Sequence, residues 1–152
     1  SEMCIRDRVW IFDYHYKTTR RDNKGRRRST SHRFSALFVD APFPLKPLYI
    51  RPEGLFDKVK AAFGAGDINF ESAEFSRRFH VSAEDRRWAY DVLQPETIDR
   101  LLRSHRRSIQ MSQDTLALFD SRTWDEADIR LSLQMAAGIL RGIPAHAGGG
   151  AS

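Results

Sequence analysis

The chain is poor in the residues that staple or activate a small protein. Its one cysteine, Cys4, has no second cysteine to pair with, which excludes an internal disulfide and a zinc centre built from several thiolates. Apolar runs are short. No stretch approaches the eighteen or so consecutive apolar residues of a membrane-crossing helix. There is no G-x-S-x-G elbow for a serine nucleophile and no glycine-rich phosphate loop. Gly64-Ala-Gly66 follows a helical pattern rather than a strand, so it reads as a helix stop and not as a dinucleotide turn. The five histidines lack metal-ligand spacing, and only His15 and His32 are placed to meet, across a hairpin. No cofactor and no metal site is expected.

What is present suffices for one domain. The 152 residues are 41% hydrophobic and 11% aromatic, enough for a core. The opening octet, Ser1-Glu-Met-Cys-Ile-Arg-Asp-Arg8, looks like a translated sequencing-adapter string and is set aside as artefact or disorder. Removing it removes Cys4 and hence any cysteine nucleophile. The expected organisation is a single domain over 9–144 followed by a flexible tail over 145–152.

Charge is unevenly spread. The chain carries +5 overall, yet between Lys17 and Arg33 eight basic residues stand against Asp22 alone. That segment is net +7, so the remainder balances to −2. The basicity therefore belongs to one arm.

Periodicity gives the elements. Val9 to Thr19 alternates, with Trp10, Phe12, Tyr14 and Tyr16 on one face, and reads as a half-buried strand whose aromatic face belongs to the core. His32 to Ala41 is its expected partner. The polar run from Arg20 to Ser31 then forms the tip of a long hairpin. Pro42, Pro44 and Pro47 make an extended connector to a third strand over Leu48–Arg51. Pro52 suits the first turn of a helix carrying Leu55, Phe56, Val59, Ala62 and Phe63. A strand is expected over Phe75–Val81, with Ser82 and Asp85 opening a helix that presents Trp88, Ala89, Val92 and Leu93. Pro95 restarts a helical turn that continues through Ile98, Leu101 and Leu102. A second hairpin turns at Gln113-Asp114, and Thr123 with Glu126 caps the longest helix, with Ile129, Leu133, Ala136, Leu140 and Ile143 as its apolar stripe. Hairpins link most strands, so the fold class is α+β: an antiparallel sheet of about six strands, helices packed on one face, and a long C-terminal helix.

Three motifs carry a resemblance: Ile50-Arg-Pro-Glu-Gly-Leu-Phe-Asp-Lys58, the pair Asp67-Ile-Asn-Phe-Glu-Ser72 and Glu74-Phe-Ser-Arg-Arg-Phe79, and Asp85-Arg-Arg-Trp-Ala-Tyr-Asp91. With them the chain resembles, from about Val9 to Pro144, a family of uncharacterised bacterial proteins. The resemblance implies one or two hydrophobic membrane segments ahead of the domain and no assigned activity. It places the domain on the cytoplasmic face of a bacterial membrane, held by an upstream segment that this chain does not contain.

Candidate sites follow from chemistry. Arg20, Arg21, Lys24, Arg26, Arg27 and Arg28 form an anion-binding set at the hairpin tip. Facing an anionic lipid surface, each such cation is worth about 1 kcal/mol. Nucleic acid is the alternative partner, with the aromatic stripe available for base stacking. The carboxylates Asp67, Glu71, Glu74, Asp85 and Asp91 read as ion-pair partners of Arg77, Arg78, Arg86 and Arg87. An enzyme built on Glu71, Glu74 and Asp91 requires those three to share a pocket. The expected function is a non-catalytic binding or scaffolding module, and no protein partner is legible.

Overall fold

The computed structural model describes residues 9–53, 68–104 and 107–147. The expected helix through Leu55 to Phe63, and Asp67 after it, lie outside them.

The alternation at the start of the chain forms β1 (Val9–Arg21), which pairs antiparallel with β2 (Arg27–Asp40) from Val9 opposite Val39 to Arg21 opposite Arg27. The turn is shorter than the polar composition suggested. Only residues 22–26 lie between the strands, held by the Asp22 carboxylate, which accepts from the backbone N–H of Lys24 at 3.0 Å and of Arg26 at 2.8 Å. Gly25 supplies the positive φ of 78° that this turn requires. Arg20, Arg21, Arg27 and Arg28 are therefore strand residues, not loop residues. Polarity misled because a strand standing in solvent needs only a cross-strand partner, such as Thr18 opposite Thr30.

β3 (Leu48–Pro52) follows the proline connector. The next segment corrects an expectation: Ala73–Arg78 is a helix, α1, capped by the Ser72 hydroxyl accepting from Phe75 N–H, and β4 (Phe79–Ala83) begins only after it. α2 (Arg86–Val92) is capped by Asp85 rather than Ser82, its carboxylate accepting from the N–H groups of Arg87 and Trp88. α3 (Pro95–Arg103) has proline in its first turn, where a missing N–H costs nothing. β5 (Ser108–Ser112) and β6 (Thr115–Asp120) form the second hairpin, with Gln113 at φ 57°. α4 (Glu126–Gly142) starts at a capping box of Asp125 and Asp128, not at Thr123 and Glu126.

The six strands form one antiparallel sheet in the order β1-β2-β6-β5-β3-β4. Registers line up two apolar rows across it. Leu37, Leu118, Ile109, Ile50 and Val81 make one, and Val39, Leu116, Met111, Leu48 and Ala83 the next. These residues share one buried core with Phe75 of α1, Trp88 and Val92 of α2, Leu101 of α3 and Met135, Ala136, Ile139 and Leu140 of α4. Each fully buried large side chain contributes about 1.5–3 kcal/mol to that packing. The buried stripe of α4 is rotated from the expected one: Ser132, Met135, Ala136, Ile139 and Leu140 face inward, whereas Ile129 and Leu133 are half-buried.

Candidate functional site: a basic arm with an aromatic face

β2 has two neighbours over part of its length only. Its pairing with β6 runs from Asp40 back to Ser35 and stops. Beyond it, the eight cross-strand pairs from Tyr14–Phe34 to Arg21–Arg27 form a two-stranded ribbon with no third strand among the described residues. At about 3.4 Å per residue the ribbon reaches about 27 Å past the body.

Its two faces differ because strand side chains alternate. The helices pack on the side carrying Leu37 and Val39, which is also the side of Ile11, Asp13 and His15. Trp10, Phe12, Tyr14 and Tyr16 point the other way, beside Phe38, Ala36, Phe34 and His32. The aromatic stripe is thus not a core face, contrary to the sequence reading: its four residues are 46%, 41%, 41% and 50% exposed. Period-two spacing identified a common face, but among the described residues no helix packs over these four rings.

The rings order one another across the arm. Tyr14 stacks on Phe34 with centroids 4.6 Å apart and planes at 14°. Tyr16 stacks on His32 at 4.7 Å and 15°, and the Thr18 hydroxyl lies 3.0 Å from His32 Nε2. Phe12 meets Phe38 edge-on at 5.8 Å, and Phe38 meets Phe119 of β6 in the same way. His15 and His32 sit on opposite faces, so the pair entertained from sequence does not form.

The same face continues outward from the rings to Thr18 and Thr30, then to Arg20 opposite Arg28. All six cations of the expected anion-binding set are exposed. Among the described residues, the only ion pair in the arm joins Arg28 Nε to Asp22 at 3.9 Å. The structure therefore brings Arg20 and Arg28 of the basic tip and an exposed aromatic row onto one strand face.

The carboxylates are scattered. Glu74 pairs with Arg78 at 3.3 Å, and Asp91 lies 3.7 Å from His146. Asp85 pairs with Lys46 at 2.8 Å rather than with a neighbouring arginine; that hydrogen bond, with the α2 backbone N–H groups, holds its carboxyl below the ordinary value. Glu71 alone of the proposed catalytic trio lines the 710 Å³ cleft floored by Phe70, Tyr90, Leu93 and Ile98. Glu71, Glu74 and Asp91 thus do not share a pocket. Among the described residues, no three of His, Cys, Asp and Glu gather closely enough to hold a metal ion. Nor is any helix there long and apolar enough to cross a membrane.

One polar cluster escaped the sequence reading. Arg107 is 2% exposed, donates through Nε to Ser132 Oγ at 3.0 Å, and lies 5.8 Å over the Trp124 ring. Trp124 Nε1 donates to Asp120 at 2.9 Å, and Arg122 bridges Asp120 and Asp128. Burial pulls the Arg107 guanidinium below its ordinary pKa, while the charges of Asp120 and Asp128 draw it back up. The cluster ties α4 to β6, a packing role with no periodic signature in the sequence.

Compared with known proteins, the chain matches no family model, no curated protein and no solved structure.

Proposed function

We propose that the domain is a non-catalytic binding module and that its arm takes single-stranded nucleic acid. One observation carries the reading: exposed Trp10, Phe12, Tyr14 and Tyr16 run along the strand face that ends in Arg20 and Arg28. Guanidinium groups contact phosphates and exposed rings stack on bases, the two elements from which sequence-tolerant single-strand sites are built. An exposed aromatic row is also costly to leave in water without a use.

Anionic lipid is the second reading, supported by the family resemblance and by the preference of Tyr, Trp and Arg for the bilayer interface. The order of residues along the arm counts against it. A hairpin entering headgroups by its tip leaves its rings behind in water, because the cations lie outermost and the aromatics nearer the body.

The test compares a short oligothymidylate with vesicles of phosphatidylserine and phosphatidylcholine, read by tryptophan emission and co-sedimentation at two salt concentrations. Salt-sensitive binding of the oligonucleotide with a change in emission supports the first reading. Binding confined to the vesicles moves the function to the membrane surface. Binding to neither removes both.

A further inference from the structure

Among the described residues the sheet has two edges, β4 and β1. β4 is five residues long and wholly buried, whereas twelve of the thirteen residues of β1 are exposed. A long exposed edge is a template for another strand. Its hydrogen-bonding parity can be read from the turn. Asp22 N–H donates to Arg26 O at 2.9 Å and Asp22 O accepts from Gly25 N–H at 3.0 Å, so Asp22 directs both backbone groups toward β2. Antiparallel ladders alternate, so the even residues of β1 bond to β2. The odd residues, Val9 through Arg21, direct their N–H and C=O groups to the free edge.

We propose that the domain forms a two-fold dimer by antiparallel pairing of β1 with β1 of a second copy, centred on His15. Parity restricts the centre to a whole residue, since a half-residue shift sets outward groups against inward ones. Charge selects among the remaining registers. Centred on His15, Asp13 faces the partner's Lys17, Trp10 faces the partner's Arg20, and Tyr14 faces the partner's Tyr16. These are an ion pair, a cation over a ring, and an aromatic pair, all favourable across strands. Centring on Asp13 or on Lys17 instead sets like charges directly opposite each other.

The pairing also supports the arm. A two-stranded ribbon is marginal by itself in water. In the dimer, Lys17–Arg21 lies along the partner's Val9–Asp13, the stretch backed by the partner's sheet. The two basic tips then point away from each other, with the Arg21 residues about 40 Å apart, and the two aromatic faces join on one side of a twelve-stranded sheet. Dimerisation stands apart from nucleic-acid binding: each can fail without the other.

The experiment is light scattering coupled to size exclusion on the full chain, with two variants. The expected mass is twice 17.6 kDa. His15→Pro removes an N–H that only the second copy uses, and proline is tolerated on an edge strand, so a folded monomer is expected by mass and far-UV circular dichroism. In a Cys4→Ser background, His15→Cys is expected to crosslink between copies under mild oxidation, because opposed residues of a hydrogen-bonded pair lie about 5.5 Å apart. Thr19→Cys is expected not to, since its two copies are about 27 Å apart. If the proline variant fails to fold, the crosslinking pair decides. A monomer at high micromolar concentration, or a dimer with no crosslink through His15→Cys, would overturn the proposal.

Discussion

Tyr14 stacks on Phe34 at 4.6 Å on the first cross-strand pair beyond the point where β2 loses β6. The pair marks where the arm leaves the body, and it is held by rings rather than by a core. Removing it should loosen the arm and spare the fold. Tyr14→Ala is expected to cost about 1 kcal/mol or less in global unfolding, the range of a cross-strand pair, while amide exchange in 14–34 accelerates. A loss of several kcal/mol in chemical denaturation would place the stripe in the core after all.

Leu118→Ala provides the contrast. Leu118 is fully buried and lies between Leu37 and Ile109 in the row beneath the helices. Its truncation is expected to cost about 2–5 kcal/mol by the same denaturation measurement, with little change in oligonucleotide affinity. The body and the arm thus separate experimentally.

The two sides of the ribbon give a third expectation. Arg20 and Arg28 share the aromatic face, whereas Arg21 and Arg27 lie on the opposite one. Each phosphate contact on a single strand contributes about 0.7 to the slope of log affinity against log salt. Arg20→Ala with Arg28→Ala should therefore lower that slope by about 1.4, and Arg21→Ala with Arg27→Ala by less. Equal effects would mean that the tip acts only as a diffuse charge.

The start of α4 carries a pH signature. The Asp125 backbone N–H donates to the Asp128 carboxylate at 3.1 Å and, with the Arg122 charge, holds its pKa below the ordinary 3.8. A depressed carboxyl stabilises the fold fully above its unfolded pKa, and that contribution fades as pH falls through the folded value. Asp128→Asn is expected to flatten the acid limb of the stability profile below about pH 4. Asp125→Ala, which removes the cap itself, is expected to cost about 1 kcal/mol at neutral pH.

Most of the fold was legible because it rests on periodicity. Alternation located β1, β2 and the β5–β6 hairpin, and Pro95 marked α3. The errors have identifiable physical sources. Phe75 and Phe79 fit both a strand's alternation and a helix's four-residue spacing, and the Ser72 cap settles that conflict for the helix. Capping signals were read from side-chain type at Ser82 and Thr123, where the neighbouring aspartates hold the geometry. The basic tip of the site was legible in composition, but its strand character was not. The exposure of Trp10 to Tyr16 depends on which side α1 to α4 pack, a tertiary choice that one strand's pattern does not record.

Trp10 makes the central claim directly measurable. It is 46% exposed on the open face, while Trp88 and Trp124 are buried at 2% and 5%. A change in tryptophan emission on adding ligand therefore reports the arm. Titration with oligothymidylate at low salt is expected to quench that emission to saturation, with affinity falling steeply as salt is raised and with the response lost in Trp10→Phe. Emission unchanged by the oligonucleotide at low salt, or quenching that persists in Trp10→Phe, would contradict a nucleic-acid site on this face.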